Sequence, residues 1–162
     1  MMSGEDVIHV INRTAVIENV LNQLIAEYCR PRKEAFAFFW TVLLDSSIIP
    51  LGAKVKVAAA ISQESNDAKL DKDSLHKLIS YRNAFAHHAE DAHPTLFVSK
   101  NREEDQSHFM LHVITPSGQT REIRRVDALS DFNSCYEKAM KSLVAMLRAT
   151  KAKTEGEADA VP

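Results

Sequence analysis

Apolar residues that return every three or four positions dominate the first part of the chain. From Glu5 to Tyr28 the sequence places Val10, Ile17, Val20, Leu21, Leu24, Ile25 and Tyr28 on one stripe, with Asn12, Arg13, Asn19 and Asn22 on other faces. A period near 3.6 residues buries a single face only when the backbone is an α-helix. Pro31 ends it, because proline lacks the N–H that a continuing helix would donate. Only four of the 162 residues are glycine, too few for the many tight turns of a barrel or sandwich. The spacing commits this chain to helices packed on helices.

The next stretch, Arg32 to Leu44, is apolar around most of its circumference, with Phe36, Phe38, Phe39, Trp40, Val42, Leu43 and Leu44. A helix that greasy belongs at a bundle centre or an oligomer interface. Pro50 and Gly52 mark a turn, and a third helix is expected over Ala53 to Gln63. Asp71 or Asp73 can cap a fourth, Asp73 to His88, by accepting from its free backbone N–H groups. Beyond Pro94 the texture changes. Thr95–Ser99, His108–Thr115 and Arg121–Val126 look extended, with Pro116-Ser117-Gly118 as a turn. A last helix, Leu129 to Lys151, carries Leu129, Phe132, Tyr136, Met140, Leu143 and Leu147 on one stripe. The expected architecture is all-α: an antiparallel bundle of about five helices in one domain over residues 5–151, with a small antiparallel β-meander at about 95–126 inserted before the last helix. Residues 152–162, small and acidic, read as a disordered tail.

Twenty Lys plus Arg against 22 Asp plus Glu leave a formal charge of −2. A protein that holds long nucleic acid by bulk electrostatics is usually basic, so that mode is disfavoured while a local basic patch is not. No stretch reaches the ~20 apolar residues of a membrane span, and Met1-Met2-Ser3-Gly4-Glu5-Asp6 is too polar for a secretion signal. The expectation is a cytoplasmic protein that does not touch membrane. Cys29 and Cys135 then read as reduced thiols. Ser/His/Asp triad motifs, glycine-rich phosphate loops and Cys-x-x-Cys pairs are absent, which weakens the hydrolase, nucleotide-triphosphatase and zinc-module readings.

The fourth helix is the informative piece. Its apolar stripe of Leu75, Leu78 and Ile79 is followed one turn later by Arg82. A guanidinium is always ionised and costs several kcal/mol to bury without partners. Arg82 must therefore be paired, or face a groove or interface. Asn83 and His87 lie four apart and share a face, whereas Arg82 and His87 are roughly 140° apart on an ideal helix. They can meet only if the last turn unwinds or if two copies of the helix pack about a two-fold axis.

Arg82-Asn83-Ala84-Phe85-Ala86-His87 resembles the Arg-Asn-x-x-Ala-His signature of HEPN domains. Leu43 to Lys56 looks like the linker and following helix of the branch related to the mannitol operon repressor, and the resemblance covers about residues 5–90. It implies a helical bundle that forms a homodimer through its motif-bearing helices. Active members of that superfamily cut RNA there without a metal or other cofactor. The catalytic residues so implied are Arg82, to clamp phosphate, and His87, to move protons, as their chemistries allow. Asn83 would orient one of them, and Tyr81 and His88 are adjacent candidates for RNA contact. The expected function is a metal-independent endoribonuclease of a defence or toxin–antitoxin system, partnered by RNA and by a protein antitoxin. The alternative is a non-catalytic interaction module or transcriptional regulator resembling the mannitol operon repressor.

Structural roles stand beside these. Arg82 can pair with a helix-one acid such as Glu18, and a histidine at a helix end is favoured by the helix dipole. His87, His88, Glu90, Asp91 and His93 cluster without a recognised ligand spacing, and a solvated helix end explains them better than a metal. Arg121, Arg124 and Arg125 form a small basic patch diluted by Glu122 and Asp127.

Overall fold

A computed structural model describes residues 4–65, 68–87 and 110–158. Five α-helices and one β-hairpin follow in the order α1 (Gly4–Cys29), α2 (Lys33–Phe38), α3 (Leu51–Ser65), α4 (Lys72–His87), β1 (Met110–Ile114), β2 (Thr120–Arg124) and α5 (Arg125–Ala158). A π-helical turn, Phe39–Leu43, continues α2. The all-α expectation with a small antiparallel sheet before the last helix holds.

Four of these helices share one core. α1 packs on α3, α4 and α5, and α4 packs on α3 and α5. Val10, Ile17, Leu21, Leu24, Leu75, Leu78, Phe85, Phe132 and Leu143 are sealed from solvent there. Each such side chain contributes roughly 1.5–3 kcal/mol by leaving water. Polar contacts then fix how α5 lies on α1. His9 Nε2 is 2.9 Å from Asn133 Oδ1, Arg13 pairs with Glu137 at 3.2 Å, and Arg125 reaches Asp6 at 2.9 Å. Asp71 caps α4, accepting from the Ser74 N–H at 3.0 Å and the Ser74 hydroxyl at 2.8 Å. The Ser74 N–H holds the Asp71 carboxyl below the usual aspartate range.

Departures from these expectations are local. No residue of α2 or of the π-helical turn is buried, so this greasy segment is not the centre of the bundle. Only Phe39 and Trp40 lean on the core, and Phe36 stacks on Trp40 with ring centres 6.0 Å apart. The buried line of α5 is Phe132, Cys135, Ala139, Leu143 and Met146, with Leu129, Tyr136, Met140 and Leu147 as its flank. Small residues let α5 approach its neighbours closely, which a count of large apolar residues misses. α5 starts at Arg125, so Val126 is helical rather than strand, and it continues past Lys151 to Ala158, where composition alone predicts a disordered tail. Lys153 Nζ donates to the Ser65 carbonyl, and Arg30 donates to the Thr154 hydroxyl, which tie that extension to the bundle. Both cysteines are free thiols.

In the hairpin, β1 and β2 are antiparallel, with Met110 opposite Arg124 and Ile114 opposite Thr120. Leu111 and Val113 point into the core, and β1 lies on α4. Gly118, at φ 81°, takes the left-handed position of the turn, which a side chain would strain. The expected strand at Thr95–Ser99 lies outside the described residues. Among the described residues no helix is long and apolar enough to cross a membrane.

Candidate functional site

Successive residues of a helix turn by about 100°, so the residues of α4 that carry chemistry are dealt to different sides. Ile79, Arg82 and Asn83 face α1 and the segment leading into α3. Together with Glu18 and Ser46 they line an open groove of about 430 Å³. Lys77, Ser80 and Tyr81 face roughly the opposite way, toward the hairpin and α5.

Electrostatics within the groove are decided by Glu18. Lys54, on α3, is sealed from solvent, and its Nζ donates to Glu18 Oε1 at 2.5 Å and to the Leu44 carbonyl at 2.5 Å. The Ser46 hydroxyl donates to the same Glu18 oxygen. The next residues fold back on themselves, because Asp45 accepts from the Ser47 N–H at 2.8 Å and its hydroxyl at 2.5 Å. Those two bonds hold the Asp45 carboxyl below its ordinary range. Glu18 is thus engaged by Lys54, to which the sequence reading assigns no role, and not by Arg82.

Arg82 is half-buried and makes no ion pair among the described residues; its Nη1 donates to Asn83 Oδ1 at 3.1 Å. Asn83 is exposed at the groove wall. α4 stays helical through His87, so the last turn does not unwind to bring His87 beside Arg82. His87 is exposed and is not part of the groove lining. It sits in the last turn of α4, where the helix dipole favours positive charge. His88 and the rest of the His88–His93 cluster lie outside the described residues.

Tyr81 stands apart from Arg82. Its hydroxyl donates to Asp131 Oδ2 of α5 at 3.0 Å, across 50 residues of sequence. Burial, then the bonded Asp131 carboxylate, push the Tyr81 phenol up to about 12. The basic patch expected at Arg121, Arg124 and Arg125 is also dispersed. Arg124 pairs with Asp127 at 2.6 Å, Arg125 is buried against Asp6, and Arg121 turns toward the Tyr81 side.

The chain matches no family model, and no curated protein or solved structure matches it. The site is therefore argued on its geometry. Lys54 and Ser46 are the participants that sequence reasoning missed. A lysine in an amphipathic helix carries no mark of burial, and nothing short-range links position 54 to position 18.

Proposed function

We propose that the chain is a HEPN-like endoribonuclease whose cleft forms where two copies of α4 meet about a two-fold axis. The observation that carries this reading is Arg82, a permanent cation with no ion pair among the described residues, on the wall of an open groove while the nearby Glu18 is held by Lys54. A structural arginine would be expected to take that carboxylate. One that leaves it alone is free to grip a phosphate with two parallel hydrogen bonds.

A straight α4 keeps Arg82 and His87 of one chain on different faces, so the reading requires both residues of both copies. In the reaction proposed, the 2′-oxygen of a ribose attacks the adjacent phosphorus, forming the P–O2′ bond as the P–O5′ bond breaks. One His87 takes the 2′-hydroxyl proton and the other gives a proton to the departing 5′-oxygen. The Arg82 pair holds the charge that builds on the non-bridging oxygens. Asn83, already bonded to Arg82 and four residues from His87, fixes the guanidinium. The products are a 2′,3′-cyclic phosphate and a 5′-hydroxyl, and no metal enters.

The test is RNA cleavage in EDTA by wild type, Arg82→Ala and His87→Ala, with dimerisation measured on the same samples. Wild type should leave cyclic phosphate ends, and both variants should remain dimeric and fail to cut. Full activity in both variants overturns the mechanism. A second reading, a non-catalytic interaction module bound through α2, is favoured by the exposure of Phe36, Phe38 and Val42. It expects a stable dimer, no cleavage and a protein partner lost with Phe38→Asp.

A further inference from the structure

Three cationic side chains gather on the other side of α4. A cavity of about 320 Å³ opens between α4, the hairpin and α5, a size in the range of sites for small organic molecules. Lys77 from α4, Arg121 from β2 and Lys138 from α5 all line it. Among the described residues none of the three makes an ion pair. Three elements distant in sequence thus bring three cations to one opening, in a chain whose formal charge is −2.

The neighbouring acids have hydrogen-bond donors of their own and keep their charge, so that in the lining three cations face one carboxylate. Asp131, the carboxylate in the lining, accepts from the Tyr81 hydroxyl at 3.0 Å. Asp71, which feels Lys77 and Lys138, spends its oxygens on the Ser74 cap. The floor is different in kind: Val113 and Cys135 are buried, and Ile123 is half-buried against the core. A cationic mouth over an apolar floor selects a ligand with an anionic head and an apolar body.

We propose that this cavity binds a small organic anion, a phosphate monoester or carboxylate carried on an aromatic or branched apolar group. Arg121 and the two lysines hold the head, and Val113 and Ile123 receive the body. The site is separate from the proposed cleft, because none of its residues belongs to the Arg82 groove, and Tyr81, an expected RNA contact, lies on this side instead.

The probe is phenyl phosphate, titrated into the full chain and followed by amide NMR shifts, with benzyl alcohol and inorganic phosphate as the body and head alone. Saturable shifts at Lys77, Tyr81, Arg121 and Cys135 are expected, with a Kd near or below about 1 mM. Either half of the probe should bind at least about tenfold more weakly. Arg121→Ala/Lys138→Ala should weaken phenyl phosphate by about tenfold or more, while Lys33→Ala/Lys56→Ala, the same charge change on exposed positions elsewhere, should not. Chemical shifts of the unliganded variants report whether each is folded. Should wild type show no saturable shift, should both double variants weaken alike, or should the shifts centre on Arg82, the proposal is wrong.

Discussion

Glu18 has two cationic candidates, Lys54 on α3 and Arg82 on α4, and it takes the first. The difference is one of donors and solvent. Lys54 presents a compact ammonium that Glu18 and the Leu44 carbonyl satisfy inside the bundle. Arg82 carries five donors on a flat fork, which that pocket cannot satisfy, and it stays at the water's edge with Asn83. Two cations near one acid therefore do separate jobs. The buried one joins α1, α3 and the segment between them, and the open one is the group that the proposed reading assigns to phosphate.

Glu18→Ala should break the comparison most sharply, because it strands an ammonium that is sealed from solvent. Loss of one partner of a buried pair costs about 3–5 kcal/mol, readable by urea unfolding, and adding Lys54→Met should restore much of it. An unchanged midpoint for Glu18→Ala would mean that the pair does not hold the fold. Next in size, on the proposed ribonuclease reading, Arg82→Ala removes both guanidiniums of the dimer cleft and should slow RNA cleavage by at least about 10²–10³-fold, the loss typical of removing even one charge-stabilising group.

Smaller effects come from the caps and the far side of α4. Asp71→Ala should cost about 1 kcal/mol by unsatisfying the start of α4. The Asp71 carboxyl is held low by the fold, so its contribution is present above the ordinary aspartate pKa and fades as pH falls through the native value. Asp71→Asn should keep the cap and flatten that acid limb. Tyr81 moves the other way. Its raised phenol adds stability below the ordinary tyrosine pKa of about 10, and this is lost as pH rises through about 12. Of the three tyrosines, one should ionise near 12 in an ultraviolet titration, and Tyr81→Phe should abolish that step. Least of all, Arg82→Ala should shift stability by no more than about 0.5 kcal/mol, since no acid among the described residues depends on it. A large destabilisation there would erase the distinction between the two cations.

Periodicity carried most of the fold. α1, α3 and α4 fall within a few residues of their expected limits, because each pairs a regular apolar stripe with a proline or an acidic cap. For Arg32–Leu44 the same method leaves two readings, bundle centre or oligomer interface, and the exposure of the segment removes the first. It measures greasiness, and greasiness does not say whether the partner is the same chain. On α5 it finds Phe132 and Leu143, both sealed from solvent, but adds the flanking Leu129, Tyr136, Met140 and Leu147 in place of the buried Cys135 and Ala139, since small residues carry little hydrophobic weight. At the site, the conflict of Arg82 with its stripe was legible locally. The Lys54–Glu18 and Tyr81–Asp131 pairings span 36 and 50 residues, and no local pattern encodes them.

The wide turn at Phe39–Leu43 sets the phase of the backbone that leaves it. The Leu44 N–H reaches back five residues to the Phe39 carbonyl at 3.0 Å, so the backbone spends one residue more per loop than an α-helix would. That surplus residue swings Leu44 inward while Phe38 and Val42 remain outside, and it aims the Leu44 carbonyl at the Lys54 ammonium. A one-residue deletion between 39 and 43 would leave the local composition almost intact and rotate Leu44 away from its socket. The damage would surface at α3, as a lysine deprived of a carbonyl it meets only through that miscounted turn.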